Sequence, residues 1–348
     1  MKNRYITYFL VMFTFLLISS CQPHDPFCYQ HTHGALVRIN VDWSEFKEDK
    51  PDGMTLHFLP SNKNNKPKLH TTHTITHASV DLMPEQYTIL VHNQSASEFG
   101  SVTFQDMGCD TTACVLPKRS PSTWYKPVDN EILVSNPEWL AFDREEALVT
   151  EDMMTGGTIY EERITRSNGD NDTLVATMTP KNVVYTLHVS VKIKGINNFR
   201  DARAAFSGLA DGYFIGLEEY SDEKVTHMME TWSVKNKTTD EDGVQIGTIY
   251  GNITCFGLPK FHTRDAAENI LRLSILLVDN KTLVNRMFKV GSRIYQKDTN
   301  GSSLHLYLDL ELSEKLPDVT PVPDTDGKSG FDADVNEWGD EENQNVGL

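Results

Sequence analysis

The alternation of residues 183–193 constrains the fold of this chain more than any other sequence feature. Apolar side chains recur at every second position, namely Val183, Tyr185, Leu187, Val189, Val191 and Ile193. Successive side chains of a β-strand point to opposite faces, so one face of this segment suits a core and the other suits water. The segment therefore predicts a long strand in a sheet with one buried face, which is typical of antiparallel β-proteins.

Five further segments repeat the period of two. Their apolar positions are Val37, Ile39, Val41 and Trp43; Met54, Leu56 and Phe58; Tyr87, Ile89 and Val91; Leu271, Leu273, Ile275 and Leu277; and Leu304, Leu306, Leu308, Leu310 and Leu312. Short strands separated by turn-rich stretches such as 60–67 favour a β-sandwich over a parallel α/β sheet. The Ala-rich segment 199–209, which precedes Gly212, instead predicts a short helix.

An irregular region from about 118 to 175, rich in proline and acidic residues, separates two sets of strands. We therefore predict an N-terminal β-sandwich domain at 21–174 and a C-terminal β-sandwich domain at 175–316. From 317 to 348 the chain is acidic, with Lys328 as its only basic residue. Such a segment buries too little apolar area to offset its ordering entropy, which predicts a flexible tail. Within it, Phe331, Val335 and Trp338 form a short apolar stripe that could dock as an added strand.

The first twenty residues combine a basic start, an apolar run from Tyr5 to Ile18 and two small residues, Ser19 and Ser20. This pattern indicates a secretory signal peptide rather than a membrane-spanning helix. Because Cys21 follows directly, the cleavage site resembles a bacterial lipobox, which implies a lipid on the Cys21 thiol. We therefore expect a lipoprotein that lies outside the cytoplasm and is tethered to a membrane by its lipid.

The formal net charge of −17 argues against nucleic acid as a partner, because no basic face could neutralise phosphates. The cysteines after Cys21 are Cys28, Cys109, Cys114 and Cys255. Export permits disulfides, and Cys109 and Cys114 are close enough in sequence to close a small loop. Cys28 and Cys255 either pair or remain buried as small apolar residues.

The sequence contains no pattern typical of catalysis. It lacks a Gly-x-Ser-x-Gly elbow, a His-Glu-x-x-His zinc motif and a Gly-rich phosphate loop. His31 and His33 lie near Cys28, while His73 and His77 would lie about 13 Å apart on one strand face, too far to bind one ion. We therefore predict a protein that is not an enzyme and has neither cofactor nor metal site.

Aromatic side chains indicate a second candidate function, glycan binding, because exposed rings can stack on sugars. The candidates are Trp124, Tyr125, Trp139, Tyr213, Tyr220, Trp232 and Tyr250. For each of them taken singly, a core or inter-domain position is the more common one. Glycan binding is therefore the alternative to a role in protein assembly.

Several segments taken together resemble a known group of proteins. They are the lipobox at Cys21, residues 27–33, 36–43, 53–60 and 83–93, Thr179-Pro180, residues 206–210, and the tail with Val335 and Trp338. This set resembles a Bacteroidales lipoprotein family of undefined function, related to the fimbrillin-A associated anchor proteins. The resemblance implies two tandem transthyretin-like Greek-key sandwiches, exported as a lipoprotein to the cell outer membrane and exposed at the surface. It also implies fimbrial subunits or other surface proteins as partners through strand addition.

The same resemblance bears on the role of the chain. A polymerising stalk subunit would need an arginine-protease processing site early in the first domain. We find no convincing site of this kind, because Arg38 lies inside a predicted strand. We therefore predict a non-catalytic surface lipoprotein, a fimbrial anchor or accessory component, with a glycan-binding surface lipoprotein as the alternative.

Overall fold

The computed structural model describes residues 34–46, 50–105, 113–122, 124–128, 130–154, 173–259, 265–297 and 303–322. The chain from Ala35 onward forms one compact unit. In the described residues the regular elements are β-strands, joined by turns and short 3-10 segments. The predicted all-β class is therefore confirmed.

Eleven strands lie before Val183. They are β1 (Ala35–Val41), β2 (Met54–Pro60), β3 (Lys68–Thr72), β4 (His77–Leu82), β5 (Glu85–Asn93), β6 (Thr103–Gln105), β7 (Ala113–Val115), β8 (Leu133–Val134), β9 (Ala141–Val149), β10 (Thr173–Met178) and β11 (Lys181–Asn182). Eleven more follow among the described residues. They are β12 (Tyr185–Lys194), β13 (Phe199–Ala210), β14 (Gly212–Phe214), β15 (Glu219–Tyr220), β16 (Lys224–Met229), β17 (Trp232–Thr239), β18 (Gln245–Cys255), β19 (Ile270–Leu277), β20 (Leu283–Lys289), β21 (Tyr295–Gln296) and β22 (Leu304–Glu311).

The first sandwich contains a three-stranded sheet in the order β10-β1-β4 and a five-stranded sheet in the order β11-β9-β5-β2-β3. Strands β1 and β10 run parallel, whereas β1 and β4 run antiparallel. The alternating apolar positions of β1, β2 and β5 form its core, in which Val37, Leu56 and Ile89 are fully buried. The period of two thus predicted the inward face of these strands correctly.

The second sandwich pairs the sheet β17-β18-β12-β22-β21 with the sheet β20-β19-β13-β16-β8. Its core includes Leu187 from β12, Phe206 from β13, Leu273 from β19 and Leu308 from β22, all fully buried. Complete burial of a side chain of this size contributes about 2 kcal/mol. Because the apolar residues of β12 and β22 face inward, their polar residues are left on the outer face of this sandwich.

The helix predicted at 199–209 is wrong, because this segment is strand β13. It forms antiparallel pairs with β16 on one side and with β19 on the other. Ala202, Ala204 and Phe206 alternate into the core. The helical preference of alanine amounts to only tenths of a kcal/mol per residue, so pairing on two sides and burial outweigh it.

The two sandwiches exchange strands. β8 pairs with β16 of the second sandwich, and a small sheet in the order β15-β14-β7-β6 combines strands from both halves. β10 and β11, which extend beyond position 174, pair with β1 and β9 of the first sandwich. The strand pairing thus changes from the first sandwich to the second between Asn182 and Tyr185. The predicted domain boundary at 174 stays a prediction.

The beginning of the acidic tail lies against the second sandwich. The Asn198 side-chain amide donates a hydrogen bond of 2.9 Å to Asp318. Arg200 donates to the Val322 carbonyl, and the Val322 N–H donates to the Val278 carbonyl, each at 2.9 Å. Residues 318–322 are therefore attached to the fold, in contrast to the prediction of flexibility from 317. Phe331, Val335 and Trp338 lie outside the described residues.

Candidate functional site

The outer face of the sheet β17-β18-β12-β22-β21 carries the polar positions of its strands. On β12 and β22 the parallel register places His188 opposite Tyr307 and Ser190 opposite Asp309. A side chain therefore has its lateral neighbours on adjacent strands, about 5 Å away. These pairs begin two rows of side chains that cross the sheet.

One row is aromatic. Tyr295 on β21 lies opposite Tyr307, and their rings stack with centres 5.7 Å apart and planes 25° from parallel. The Tyr307 ring stacks in turn on His188, with centres 5.0 Å apart and an angle of 18°. Three neighbouring strands thus present a continuous strip of ring faces on the outer surface.

The second row is polar. Asp309 accepts hydrogen bonds from the hydroxyls of Ser190 and Tyr295. Burial acts to raise the pKa of Asp309, but these hydrogen bonds outweigh burial and the net pKa is lowered. Because Tyr295 donates to this carboxylate, its own pKa rises to about 12. Tyr250 on β18 lies opposite Ser190 and continues the row.

A groove of about 560 Å³ runs over both rows. Its walls include His188, Tyr250, Tyr295 and Tyr307, and we call it the aromatic groove. The volume lies in the range of sites for small organic ligands. Tyr295 exposes 36% of its surface, and the other three side chains are half-buried. The rings are therefore fixed by the sheet and still accessible to a ligand.

His188 lines one side of the aromatic groove and lies next to a second histidine, His305. His188 Nε2 and His305 Nδ1 are 2.9 Å apart, so one ring donates a hydrogen bond to the other. Partial burial, followed by the proximity of His305, lowers the pKa of His188. A neutral His188 is therefore favoured at neutral pH.

Two lysines lie at the sides of the aromatic groove. The Lys235 ammonium is 5.3 Å from the centre of the Tyr250 ring. The Lys297 ammonium is 4.6 Å from the centre of the Tyr307 ring and 5.4 Å from that of Tyr295. Both side chains are exposed. Cation–π contacts of this kind orient the ammonium groups towards the ring faces.

The chemistry of the aromatic groove suits binding rather than reaction. Flat rings provide apolar surface for the C–H faces of a sugar, while Ser190, Asn252 and Asp309 provide hydrogen-bonding groups for hydroxyls. Among the side chains lining the groove, Asp309 is the single carboxylate, whereas glycoside hydrolysis ordinarily uses two. In the described part of the chain, no cluster of three metal-ligating side chains is present.

The seven aromatic residues predicted as candidates differ in their burial and location. Trp124, Tyr125 and Tyr213 are buried, whereas Trp139 and Tyr220 are half-buried and pack against core clusters. Trp232 lines the aromatic groove, but it also packs against the core of the second sandwich. Among the seven candidates, Tyr250 alone contributes its ring to the outer face in the described structure.

Tyr295 and Tyr307 were not among the predicted aromatic candidates. A signal for Tyr307 was present, because in β22 the water-facing positions are His305, Tyr307, Asp309 and Glu311. Successive side chains of a strand point to opposite faces, so an aromatic residue at a water-facing position points its ring away from the core. Tyr295 lies in a two-residue strand without any period, so its position depends on its pairing with β22.

The remaining predicted sites fall largely outside the described residues. These are the lipid attachment residue Cys21, the group Cys28, His31 and His33, and Cys109. Cys114, the predicted partner of Cys109, is fully buried in β7, where burial raises the pKa of its thiol. The Cys109–Cys114 disulfide therefore stays a prediction. Cys255 is buried in the core of the second sandwich.

Fold and site together define an all-β, double-sandwich protein with a groove lined by aromatic side chains on its second sandwich. The chain belongs to the family described as a domain of unknown function, DUF5119, whose model matches residues 20–230. No curated protein matches the sequence. No helix in the described part of the chain has the length and apolarity to span a membrane.

Solved structures resemble the chain at low sequence identity. A candidate adhesin from Bacteroides ovatus is 16% identical, with a TM-score of 0.52 over 83% of this chain and 94% of the other. A protein from Bacteroides thetaiotaomicron, described as a candidate polysaccharide-binding protein, is 9% identical over 80% and 92%, with a TM-score of 0.46. The fimbrial anchor protein Mfa2 from Porphyromonas gingivalis is 10% identical over 69% and 77%, with a TM-score of 0.39. At these identities the likeness to the Bacteroides ovatus protein shows a shared fold.

Proposed function

We propose that this protein is a non-catalytic adhesion protein of the cell surface that binds saccharides in the aromatic groove. The observation that carries the proposal is the strip of ring faces formed by Tyr295, Tyr307 and His188. Cross-strand stacking stabilises the sheet, and it also holds the ring faces where the apolar face of a sugar can pack on them. The candidate adhesin from Bacteroides ovatus, which shares the fold, agrees with this role.

Attachment to the outer membrane is a second part of the proposal. The signal peptide and the lipobox at Cys21 supply the anchor, and two or more acyl chains give stable attachment to a bilayer. The variant Cys21→Ala should be recovered in the soluble fraction with its sandwiches folded, while the natural protein sediments with membranes. Recovery of the variant in the membrane pellet would contradict this anchoring.

A glycan array probed with the soluble Cys21→Ala protein tests saccharide binding. On this background, Tyr307→Ala and Tyr250→Ala should each weaken binding of any positive glycan about fivefold, since each removes a stacking face worth about 1 kcal/mol. Tyr307→Phe and Tyr250→Phe keep the rings and should retain most of the affinity. Equal binding by the Ala and Phe variants would place the glycan elsewhere and overturn the assignment of the groove.

A fimbrial accessory role through strand addition is the second candidate function. It is favoured by β10, the outermost strand of the sheet β10-β1-β4, on which Leu174 exposes 52% of its surface. An edge strand with an exposed apolar side chain is a template for an incoming strand. Fimbrial subunits should then co-purify with the native lipoprotein from its cell envelope, and Leu174→Asp should reduce their yield. Leu217→Asp, at an equally exposed turn residue, is the matched control. An unchanged yield with Leu174→Asp would exclude this edge.

A further inference from the structure

The charge of the aromatic groove differs in sign from the charge of the whole chain. The chain carries a formal net charge of −17, whereas the groove-lining side chains include Lys235 and Lys297 and a single carboxylate, Asp309. A negatively charged chain repels anions at long range, but salt screens that repulsion beyond about 10 Å. The charges that a bound ligand meets are therefore the local ones, and these are mainly positive.

The two lysines are available to a ligand. In the described part of the structure, neither ammonium forms an ion pair, and both side chains are exposed. Each ammonium lies over a ring face, a weak contact that a carboxylate or sulfate oxygen can replace or supplement. By contrast, Lys192 on the same sheet is paired with Glu311 at 3.3 Å. The two lysines beside the aromatic rings thus form no ion pair within the described residues.

Asp309 offsets only one of these two positive charges. Its carboxylate is already engaged by the hydroxyls of Ser190 and Tyr295, and the nearby positive charges of Lys297 and Arg293 also lower its pKa. Arg293 additionally donates a hydrogen bond to the Asp309 backbone carbonyl at 2.7 Å. A ligand hydroxyl can still be accepted by this carboxylate, while an acidic group of the ligand is directed away from it towards the ammonium groups.

The spacing of the lysines suits a short saccharide. Lys235 reaches the ring on β18, Lys297 reaches the ring on β22, and β12 lies between these two strands. Two strand spacings separate the ring positions by about 10 Å, which is about the length of two pyranose units. A sugar chain lying over His188 and Ser190 would therefore have one ammonium near each of its ends.

We propose that the aromatic groove selects acidic saccharides, whose ring faces pack on Tyr250 and Tyr307 and whose carboxylate or sulfate groups pair with Lys235 and Lys297. This inference rests on the proposed saccharide-binding function and adds the class of ligand. Each exposed lysine contributes up to about fivefold in affinity, so the two together contribute up to about 25-fold. The contribution falls as salt is raised, whereas ring stacking is little affected.

The test uses the Cys21→Ala protein and a matched pair of probes, an oligogalacturonate and its full methyl ester, which differ only in charge. Calorimetric titration should give an affinity for the acid at least tenfold above that for the ester. Lys235→Gln/Lys297→Gln should remove this difference. Lys66→Gln/Lys281→Gln changes the net charge equally at exposed positions outside the groove and should retain the difference.

A glycan panel with uronate, sialylated, sulfated and neutral members extends the test to other acidic sugars. Binding of sulfated but not carboxylated members would support the proposal and identify sulfate as the acidic group. A third outcome is that only neutral members bind, and that this binding depends on the tyrosines but not on the two lysines. This result would contradict the selection of acidic saccharides and agree with the proposed saccharide-binding function. Failure of every member to bind a folded protein would overturn both.

Discussion

The imidazole of His188 lies almost parallel to the phenol ring of Tyr307, with ring centres 5.0 Å apart and planes 18° from parallel. The two residues belong to β12 and β22, which pair in parallel although they are more than a hundred positions apart in the chain. The stack therefore forms only when the second sandwich is assembled. It fixes the orientation of Tyr307, the central ring of the aromatic strip.

We expect this stack to contribute measurably to stability. In a double-mutant cycle with His188→Ala and Tyr307→Ala, the coupling in the free energy of unfolding should be about 1 kcal/mol. The control cycle pairs His188→Ala with Tyr250→Ala, because the Tyr250 ring does not stack on His188. Chemical denaturation of the Cys21→Ala protein measures both cycles. Equal coupling energies in the two cycles would contradict a specific His188–Tyr307 contact.

Acid should destabilise the protein through buried histidines. Burial lowers the pKa of His227 from 6.5 to about 3, and the pKa values of His57 and His92 are lowered as well. The folded state thus favours neutral imidazole side chains. The stability that these histidines contribute is fully present above pH 6.5 and is lost as the pH falls towards 3. For His227 alone, the free energy of unfolding should fall by about 2 kcal/mol between pH 6.5 and pH 5.

A variant isolates the contribution of His227. Its Nδ1 lies 3.0 Å from the side-chain oxygen of Asn136, to which it donates a hydrogen bond. His227→Gln can keep a donor there but cannot be protonated, so denaturation curves between pH 7 and pH 5 should show a shallower loss of stability. His73→Gln, at an exposed position, should leave the pH dependence unchanged. If His227→Gln loses stability with falling pH as steeply as the natural protein, His227 does not cause the acid sensitivity.

The ion pair of Glu131 and Arg272 should be strongly stabilising when intact. Both side chains are largely buried, and Glu131 also accepts hydrogen bonds from the Tyr125 hydroxyl and the Val128 N–H. Arg272→Met would leave the Glu131 carboxylate buried without its counter-charge, which should cost about 3 kcal/mol of unfolding free energy. Denaturant titration at neutral pH measures this loss.

An exposed ion pair supplies the comparison. Arg119 and Glu230 are 3.3 Å apart, and each side chain is more than a third exposed. Arg119→Met should therefore lower the unfolding free energy by less than about 1 kcal/mol. The double variant Glu131→Gln/Arg272→Met should recover part of the loss seen with Arg272→Met. Similar losses for Arg272→Met and Arg119→Met would show that the buried pair has no special role.

The sequence predicted the strands and their buried faces because both depend on a local period of two. β12, β19 and β22 match the predicted segments, and their alternating apolar residues lie in one core. The segment 199–209 was mispredicted because its alanines suit a helix locally, while pairing with β16 and β19 depends on residues far along the chain.

The aromatic groove could be predicted only in part for the same reason. Alternation placed Tyr307 on the water-facing side of β22, but the parallel register between β12 and β22 decides that it meets His188. Tyr295 lies near it because β21 pairs with β22 across a long connection. A binding face assembled from several strands thus follows from sheet order, which the period of two leaves undetermined.

Gly208 should tolerate no side chain. It lies in β13 with a φ of +89°, at the point where the register with β16 shifts between Ser207 and Leu209. A Cβ atom there would approach the Glu268 carbonyl oxygen to 2.1 Å, so backbone would have to move in addition to the strain of a positive φ. Gly208→Ala should therefore lower the unfolding free energy by about 3 kcal/mol or more.

Gly243 separates the two causes of this loss. Its φ is +78°, but a Cβ there would have no atom within 4 Å. Gly243→Ala should thus lower the unfolding free energy by only about 1 kcal/mol, the cost of backbone strain alone. Denaturation of both variants in parallel measures the difference, which reports the steric contribution at the bulge. If the two substitutions cost the same, the close approach of Gly208 to Glu268 does not constrain the fold.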